Sequence, residues 1–371
     1  MDYSETLLFT GKCLSLAKHP EREEQIKAAI QSGKVDWENV LKVSSGQFVL
    51  PALYIRLREA HLLGELPPGL TEHFEHLTSL NRERNRSILK QADEINRQLT
   101  SYNIYPVFLK GTAFLLSGLY DDIAERMTGD IDLLVEENKM EETANILKSH
   151  GYKPLAKYNK HIHGNLKHYP RLATDEHVAA VEVHRQVVMT PFDRKFKAKD
   201  ILQHKQKILT DQNIFVPSYR DMMIHNALNV QLNDKAFIYH TIHLRHMYDM
   251  LLLSMKEDPN KVFESFGHYR RQVNAWLLTT SEIMDLPGLH PEKKTAQLKF
   301  YISRQRFFIK RPYAHKAYNT VIYLLWRFSR YITIMLKAIY KKEERLGLYS
   351  RLSDPKWYGK HLASYSKFLS R

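Results

Sequence analysis

Asp130-Ile131-Asp132-Leu133-Leu134-Val135 is the stretch that decides the fold of this chain. An apolar run carrying two acids at alternate positions predicts a buried strand. Residues two apart on a strand share a face, so both carboxylates project side by side. Two like charges held that close are costly unless their pKa values rise or a cation compensates. A divalent ion is the natural compensator, and magnesium binds through a few carboxylates plus substrate phosphates. Alone the pair means little, because Asp-x-Asp also opens strands in which one acid merely caps a turn.

Working outward, Tyr105-Pro106-Val107-Phe108-Leu109 predicts a short buried strand, followed by Lys110-Gly111-Thr112 and a helix through Leu119. Downstream, Asn138 is the expected cap of a helix over 139–150, and Gly151 stops it. Tyr152 to Leu155 is a candidate third strand, and Ala179-Ala180-Val181-Glu182-Val183-His184 a further one with alternating faces. Alternating strands and helices imply an α/β layer on a mixed sheet. Residues 1–103 carry helical periodicity. Pro67-Pro68-Gly69 breaks the chain before a long helix over 70–102, whose Arg, Asn and Gln side is either solvated or a brace. After Ser218 the periodicity is helical again, over 220–232, 235–255 and 262–284, with two or more helices to the end. The expected organisation is α+β: a helical region 1–103, a mixed-sheet core 104–217 and a helical region 218–371.

Glu182 changes the weight of the aspartate pair. An unpaired carboxylate between Val181 and Val183 is expensive. If its strand lies beside Asp130 and Asp132, three carboxylates converge and can hold one or two ions that bridge phosphates and activate a hydroxyl. The plainer alternative is a salt bridge to Arg185 or another nearby base. At Lys110-Gly111-Thr112 the glycine lets backbone approach a ligand and the helix start offers N–H groups to an anion. Lys110 can add a charge against phosphates, and Arg126 a bidentate fork; a simple turn with a capping threonine fits the tripeptide equally. His184 shares a face with Glu182. It can touch a phosphate, orient the third acid, or be a satisfied core histidine. His161, His163, His168 and His177 have no spacing that fixes a tetrahedral set, so a solvated loop is preferred to a metal site or lid. His240, His243 and His246 recur on a predicted helix, with Arg245 and Asp249 at ion-pair spacing.

Composition bounds the class. The 371 residues are 43% hydrophobic and 26% charged, which excludes collagen-like, coiled-coil and largely disordered chains. A single cysteine, Cys13, permits no internal disulfide and no cysteine metal cage. With no signal-like start and no apolar run of about 18 to 20 residues, a cytoplasmic protein, either soluble or peripheral to a membrane, is expected. The net charge of +14 is confined to the end: residues 299–371 hold 17 Lys and Arg against three acids, whereas residues 1–298 hold 38 of each sign. Such asymmetry points to an anionic partner for the tail, RNA or anionic membrane, although cationic helix faces are also common without one.

Phe108-Leu109-Lys110-Gly111-Thr112, Leu119-Tyr120, Arg126, Asp130 to Val135 and Val181-Glu182-Val183-His184 together resemble the uncharacterised nucleotidyltransferase family of the polymerase-β-type nucleotidyltransferase superfamily. The resemblance covers roughly residues 100–255. It implies a nucleotidyltransferase-type mixed-sheet core, with Gly111 and Thr112 as the phosphate turn, Asp130 and Asp132 as the metal pair and Glu182 as the third acid. Arg245 and Asp249 match a downstream helical Arg and Asp of the family. The gap from Gly111-Thr112 to Asp130 is longer than usual in the superfamily, filled by Tyr120-Asp121-Asp122 and Arg126. The implied activity is Mg²⁺-dependent transfer, with Mn²⁺ as the alternative ion, of a nucleoside monophosphate from ATP or another NTP to an acceptor, releasing pyrophosphate. Lys110, Arg126, His184, Arg245 and Asp249 would then lie near the nucleotide. The rival expectation is a non-catalytic relative that binds RNA or membrane through its tail.

Overall fold

The computed structural model describes residues 1–156, 167–208, 213–289, 295–354, 358, 359 and 363. Seven strands form one mixed sheet: β1 (Val107–Leu109), β2 (Asp130–Leu134), β3 (Lys153–Pro154), β4 (Leu172–Ala173), β5 (Ala180–His184), β6 (Gln206–Lys207) and β7 (Phe215–Val216). Their order is β3-β4-β5-β2-β1-β7-β6. The three longest strands are therefore neighbours at the centre. β5 runs parallel to β2, and β1 antiparallel to it. Ile131, Leu133, Val181 and Val183 are buried together on one face, which turns the alternate residues Asp130, Asp132, Glu182 and His184 to the other. The result is an α+β fold with helices flanking the sheet, as the sequence implies.

Five helices precede the sheet: α1 (Tyr3–Leu14), α2 (Glu23–Gln31), α3 (Trp37–Gly46), α4 (Leu50–Glu59) and α5 (Leu70–Thr100). α6 (Lys110–Leu116) and α7 (Met140–Ser149) lie within the sheet region. The polar side of α5 is a brace. Asn81 donates to the Ala124 carbonyl at 2.6 Å, and Asn85 to those of Ile123 and Arg126 at 2.5 and 2.7 Å. Arg82 forks onto Asp122 at 2.7 and 3.2 Å. Further along, the Gln91 amide donates to the Ala179 carbonyl at 2.9 Å and accepts from the Ala179 N–H at 3.2 Å. One helix thus pegs the approach to β2 and the approach to β5.

Three expected elements differ. Asn138 does not cap α7; it lies within a 3₁₀ turn, Glu137–Lys139, that leads into the helix, and Lys139 takes the cap position. The helix expected over 235–255 is two, Ala236–Tyr239 and Leu244–Leu253. His240 breaks it with φ +53°, its ring pinned between Gln305 and Arg304 at 2.9 Å each. The segment 262–284 is likewise divided into Pro259–Phe266 and Arg270–Ile283, where Gly267 and Tyr269 take φ +66° and +51°. The helix Tyr219–Leu228 continues into a single π turn, Asn229–Asn233.

The helix Leu244–Leu253 is tied to the segment before β2 by two buried charge networks. Arg126 forks onto Asp249 at 2.7 and 3.1 Å, and the Tyr120 hydroxyl donates to the same carboxylate. Beside it, Arg56 meets Glu125 at 3.0 Å, and the Tyr248 hydroxyl donates to Glu125. The spacing-based pairing of Arg245 with Asp249 gives way to this longer-range one. The chain divides into two compact units, Met1–Gln305, which holds the sheet, and Arg306–Arg371, which holds the helices Pro312–Tyr340 and Lys342–Leu352.

Removing one partner of a buried ion pair leaves the other charge uncompensated, at a cost of about 3–5 kcal/mol. Asp249→Asn should lower the unfolding free energy by that amount. The urea midpoint should fall with the slope unchanged; a loss below about 1 kcal/mol would mean that the pair behaves as a surface contact.

Candidate active site

The site follows from strand register. In the parallel β2–β5 ladder Asp132 stands beside Glu182 and Leu134 beside His184, so the alternate residues Asp130, Asp132, Glu182 and His184 share one face. On the other side, Leu109 of β1 pairs with Asp132, and β1 passes into α6 with no intervening loop. The turn is made at Lys110, whose φ of +52° is a conformation that non-glycine residues rarely adopt. It delivers the ammonium to Asp132, with Nζ 2.5 Å from Oδ1.

Gly111 is required for closeness. A Cβ there would sit 2.8 Å from Thr128 Oγ1 and 3.1 Å from its Cγ2, so α6 can approach the segment before β2 only without a side chain. Thr112 is buried and points inward, its hydroxyl donating to the Asp130 carbonyl at 3.3 Å.

His184 is wholly buried. Its Nε2 lies 2.7 Å from Asp132 Oδ1 and 3.2 Å from Glu182 Oε2, while Nδ1 faces the Gln186 carbonyl at 3.2 Å. Arg171 is the residue that sequence reasoning missed. It donates from Nε to Glu182 Oε1 at 2.6 Å and from Nη2 to Asp130 Oδ2 at 2.9 Å, bridging two acids of neighbouring strands. No local pattern marks it; antiparallel pairing of β4 with β5, Leu172 opposite Val181, carries it to Glu182. Arg185, the sequence-adjacent candidate, pairs with Glu137 instead.

These contacts separate the acids electrostatically. Burial alone would raise the Asp132 carboxyl, but the Lys110 ammonium and the His184 ring outweigh it and hold the group well below the ordinary carboxylate range. Glu182 is lowered as well: burial opposes ionisation, and the His184 hydrogen bond and Lys110 overcome it. Asp130 goes the other way, raised by burial and by the negative charge of Asp132. Lys110 is held protonated despite its burial by Asp132, Glu182 and Asp130. Lys167, lowered by burial and by Lys110, has no acid in ion-pair contact among the described residues.

Among the described residues one group can hold a metal ion: Asp132, Glu182 and His184, whose donor atoms all lie within 4.8 Å of one another. Bonds of about 2.0–2.2 Å to one ion reach donors up to about 4.4 Å apart, which the His184 Nε2 separations of 2.7 and 3.2 Å satisfy, and two carboxylates plus an imidazole suit a divalent cation. The donors therefore fit an ion. Asp130 stands next to this group on the same face, joined to it through Arg171. Arg245 is partly buried, with Nη1 donating to the Met127 carbonyl at 3.0 Å and Nε buried without a hydrogen-bond partner. Burial and the charge of Arg126 lower its pKa to about 10. Arg126 and Asp249 face each other rather than the acids.

Of the loop histidines, His168 comes 3.9 Å from Glu182, and His177 pairs with Glu94 at 3.4 Å; His161 and His163 lie outside the described residues.

The α+β fold, a mixed sheet flanked by helices, is of the nucleotidyltransferase type. A family model described as uncharacterised nucleotidyltransferase matches residues 33–280, about two thirds of the chain, and the chain belongs to that family. A search of curated proteins finds no significant match.

The contact at Gly111 gives a direct test. Gly111→Ala should destabilise the fold by about 1–3 kcal/mol, the usual cost of overpacking. In a Thr128→Ala background the cost should fall below about 1 kcal/mol, because the clashing atoms are gone. The Thr128 hydroxyl is buried without a hydrogen-bond partner, so its removal sacrifices none. Denaturant unfolding of the four proteins measures the coupling; additive losses would show that the contact does not limit the packing.

Proposed function

We propose that this protein transfers a nucleoside monophosphate from an NTP to an acceptor hydroxyl, releasing pyrophosphate, with the help of a divalent ion. The observation that supports this most strongly is the convergence of Asp132, Glu182 and His184, from two adjacent strands, with Lys110 at the start of α6 in a nucleotidyltransferase-family chain. Asp132 and Glu182, both kept ionised, would hold the ion, Mg²⁺ or Mn²⁺. When bound, such an ion neutralises phosphate charge and lowers the pKa of an attacking hydroxyl.

The chain's own groups then divide the remaining work. Lys110, Lys167 and Arg245 are cations close enough to Asp130, Asp132 or Glu182 to shift with them, and are suited to a triphosphate. Positive charge fixed there offsets the charge that develops on departing pyrophosphate. Asp130, whose affinity for a proton is raised, is better matched to accept the hydroxyl proton than the strongly ionised Glu182. Gly111 and Thr112 would shape the turn that carries Lys110. We assign Arg126 and Asp249 a bracing part behind this wall of the site.

Purified protein, each labelled NTP, Mg²⁺ or Mn²⁺ and a cell extract should yield a labelled acceptor whose mass shift identifies it. Loss of an ion ligand removes several kcal/mol of charge stabilisation, so Asp132→Asn should cut labelling about 1,000-fold or more. Labelling that persists in Asp132→Asn, or appears with no NTP, sinks this reading.

We propose a separate role for the second unit: contact with an anionic membrane surface. Val321, Leu325, Phe328, Ile332, Met335 and Ile339 recur three and four apart on the helix Pro312–Tyr340, and all are exposed. Phe328 and Ile339 are 65% and 73% accessible. Arg327, Arg330 and Lys337 lie away from that stripe, and residues 306–342 contain nine Lys and Arg and no acid. Pairing two copies would set like charges together, whereas anionic lipid complements them, and such helices lie in the interface plane. Among the described residues no helix is long and apolar enough to cross a membrane.

The full chain should sediment with phosphatidylglycerol vesicles and not with phosphatidylcholine. Phe328→Glu/Ile339→Glu should reduce that binding at least about tenfold, since buried apolar area drives it. Binding to single-stranded RNA that ignores the two substitutions, with no vesicle binding, would overturn the membrane role in favour of RNA.

A further inference from the structure

We infer that His184 is itself a ligand of the divalent ion, through Nε2, and that the site consequently takes a borderline ion such as Mn²⁺ in preference to Mg²⁺. This rests on the metal-dependent reading above and extends it beyond a purely carboxylate set.

Three observations carry it. His184 is completely buried, and its Nε2 is directed between Asp132 and Glu182 at 2.7 and 3.2 Å. Its other nitrogen faces a backbone carbonyl, that of Gln186, which can only accept. With Nδ1 donating to that carbonyl, Nε2 is the atom that faces both carboxylates. A proton on Nε2 makes the ring a donor to them, and a divalent ion held among the three donors takes that proton's place. Orientation of a ligating histidine by a carbonyl at the far nitrogen is the usual support for a metal-bound ring. Finally, the strand pairing holds these donors in place without any loop: Asp132 and Glu182 are cross-strand partners, and His184 is two residues along the same face.

The donor set decides the metal. Magnesium prefers oxygen ligands and keeps several waters, whereas imidazole nitrogen suits first-row transition ions. One nitrogen beside two carboxylates therefore disfavours Mg²⁺ relative to Mn²⁺.

The test needs neither nucleotide nor acceptor. The full chain, uniformly labelled with ¹⁵N-histidine, is titrated with MnCl₂ alone and followed by electron paramagnetic resonance, with pulsed detection of nitrogen coupling to the bound ion. We expect one bound Mn²⁺ that shows ¹⁵N coupling in labelled protein and ¹⁴N coupling in unlabelled protein. Mg²⁺ should displace it only at a concentration at least about tenfold higher. His184→Gln should lose the coupling and weaken Mn²⁺ binding by about tenfold or more.

Because His184 is in the core, the labelled wild-type spectrum stands as evidence independent of that variant. His168→Gln separates the two nearby rings: coupling lost there but retained in His184→Gln overturns the assignment. Bound Mn²⁺ without histidine coupling also overturns it, placing a proton rather than a metal on Nε2, while the transferase reading survives. Absence of Mn²⁺ and Mg²⁺ binding to wild-type protein with nucleotide present defeats the metal-dependent reading itself.

Discussion

Parallel pairing of β2 with β5 is the constraint on which the site depends. Because side chains alternate along a strand, a one-residue slip in that ladder would send Glu182 and His184 to the far face and leave Asp132 opposite apolar residues. What opposes a slip is the burial of Ile131, Leu133, Val181 and Val183. Packing and chemistry are thus set by the same register: the residues that would be exposed by a shift are the neighbours of those that would be separated.

The same face concentrates charge. Three carboxylates are held together by Lys110, Arg171 and the ring of His184, so their partners arrive on different elements. Their effects are unequal. Asp132 meets the Lys110 ammonium and the His184 Nε2 at one oxygen and is driven far down, whereas Asp130, in ion-pair contact with the half-exposed Arg171, is driven up by burial and by the charge of Asp132. Two acids of identical type, two residues apart, thereby acquire different proton affinities, the condition under which a pair can divide ligation from proton transfer. A buried acid cluster without such partners would be too costly to keep ionised.

Much of this was legible from residue pattern. The apolar runs around Asp130, Asp132 and Glu182 mark their strands because burial writes a periodic signal into the sequence, and shared faces follow from the two-residue repeat. The place of Lys110 at a strand-to-helix junction was visible too, but as a charge for phosphates and not as the partner of Asp132. Arg171 was not, because its role arises only from antiparallel pairing with Glu182, eleven positions away. The pairing of Arg126 with Asp249 spans 123 positions and displaced the nearer candidate, Arg245. The helix break at His240 left no mark in the residue pattern, since it depends on a left-handed histidine held by its surroundings, whereas the break before Tyr269 carries one in Gly267, which ends the preceding helix in the left-handed conformation. Local chemistry is readable; long-range partner choice is a property of the assembled layers.

The long brace α5 has a mechanical consequence. Its contacts at Asn81, Asn85 and Gln91 are distributed over nearly three turns of one rigid rod, and they fasten the entrances of two strands that are far apart in the chain. Each residue of an α-helix advances the azimuth by about 100°. Adding or deleting a single residue between Asn85 and Gln91 would leave the first clamp seated and swing the second away from Ala179, so that β5 would keep its ladder to β2 but lose the peg at its entrance. A helix that contributes no acid thus helps to anchor the strand that carries Glu182.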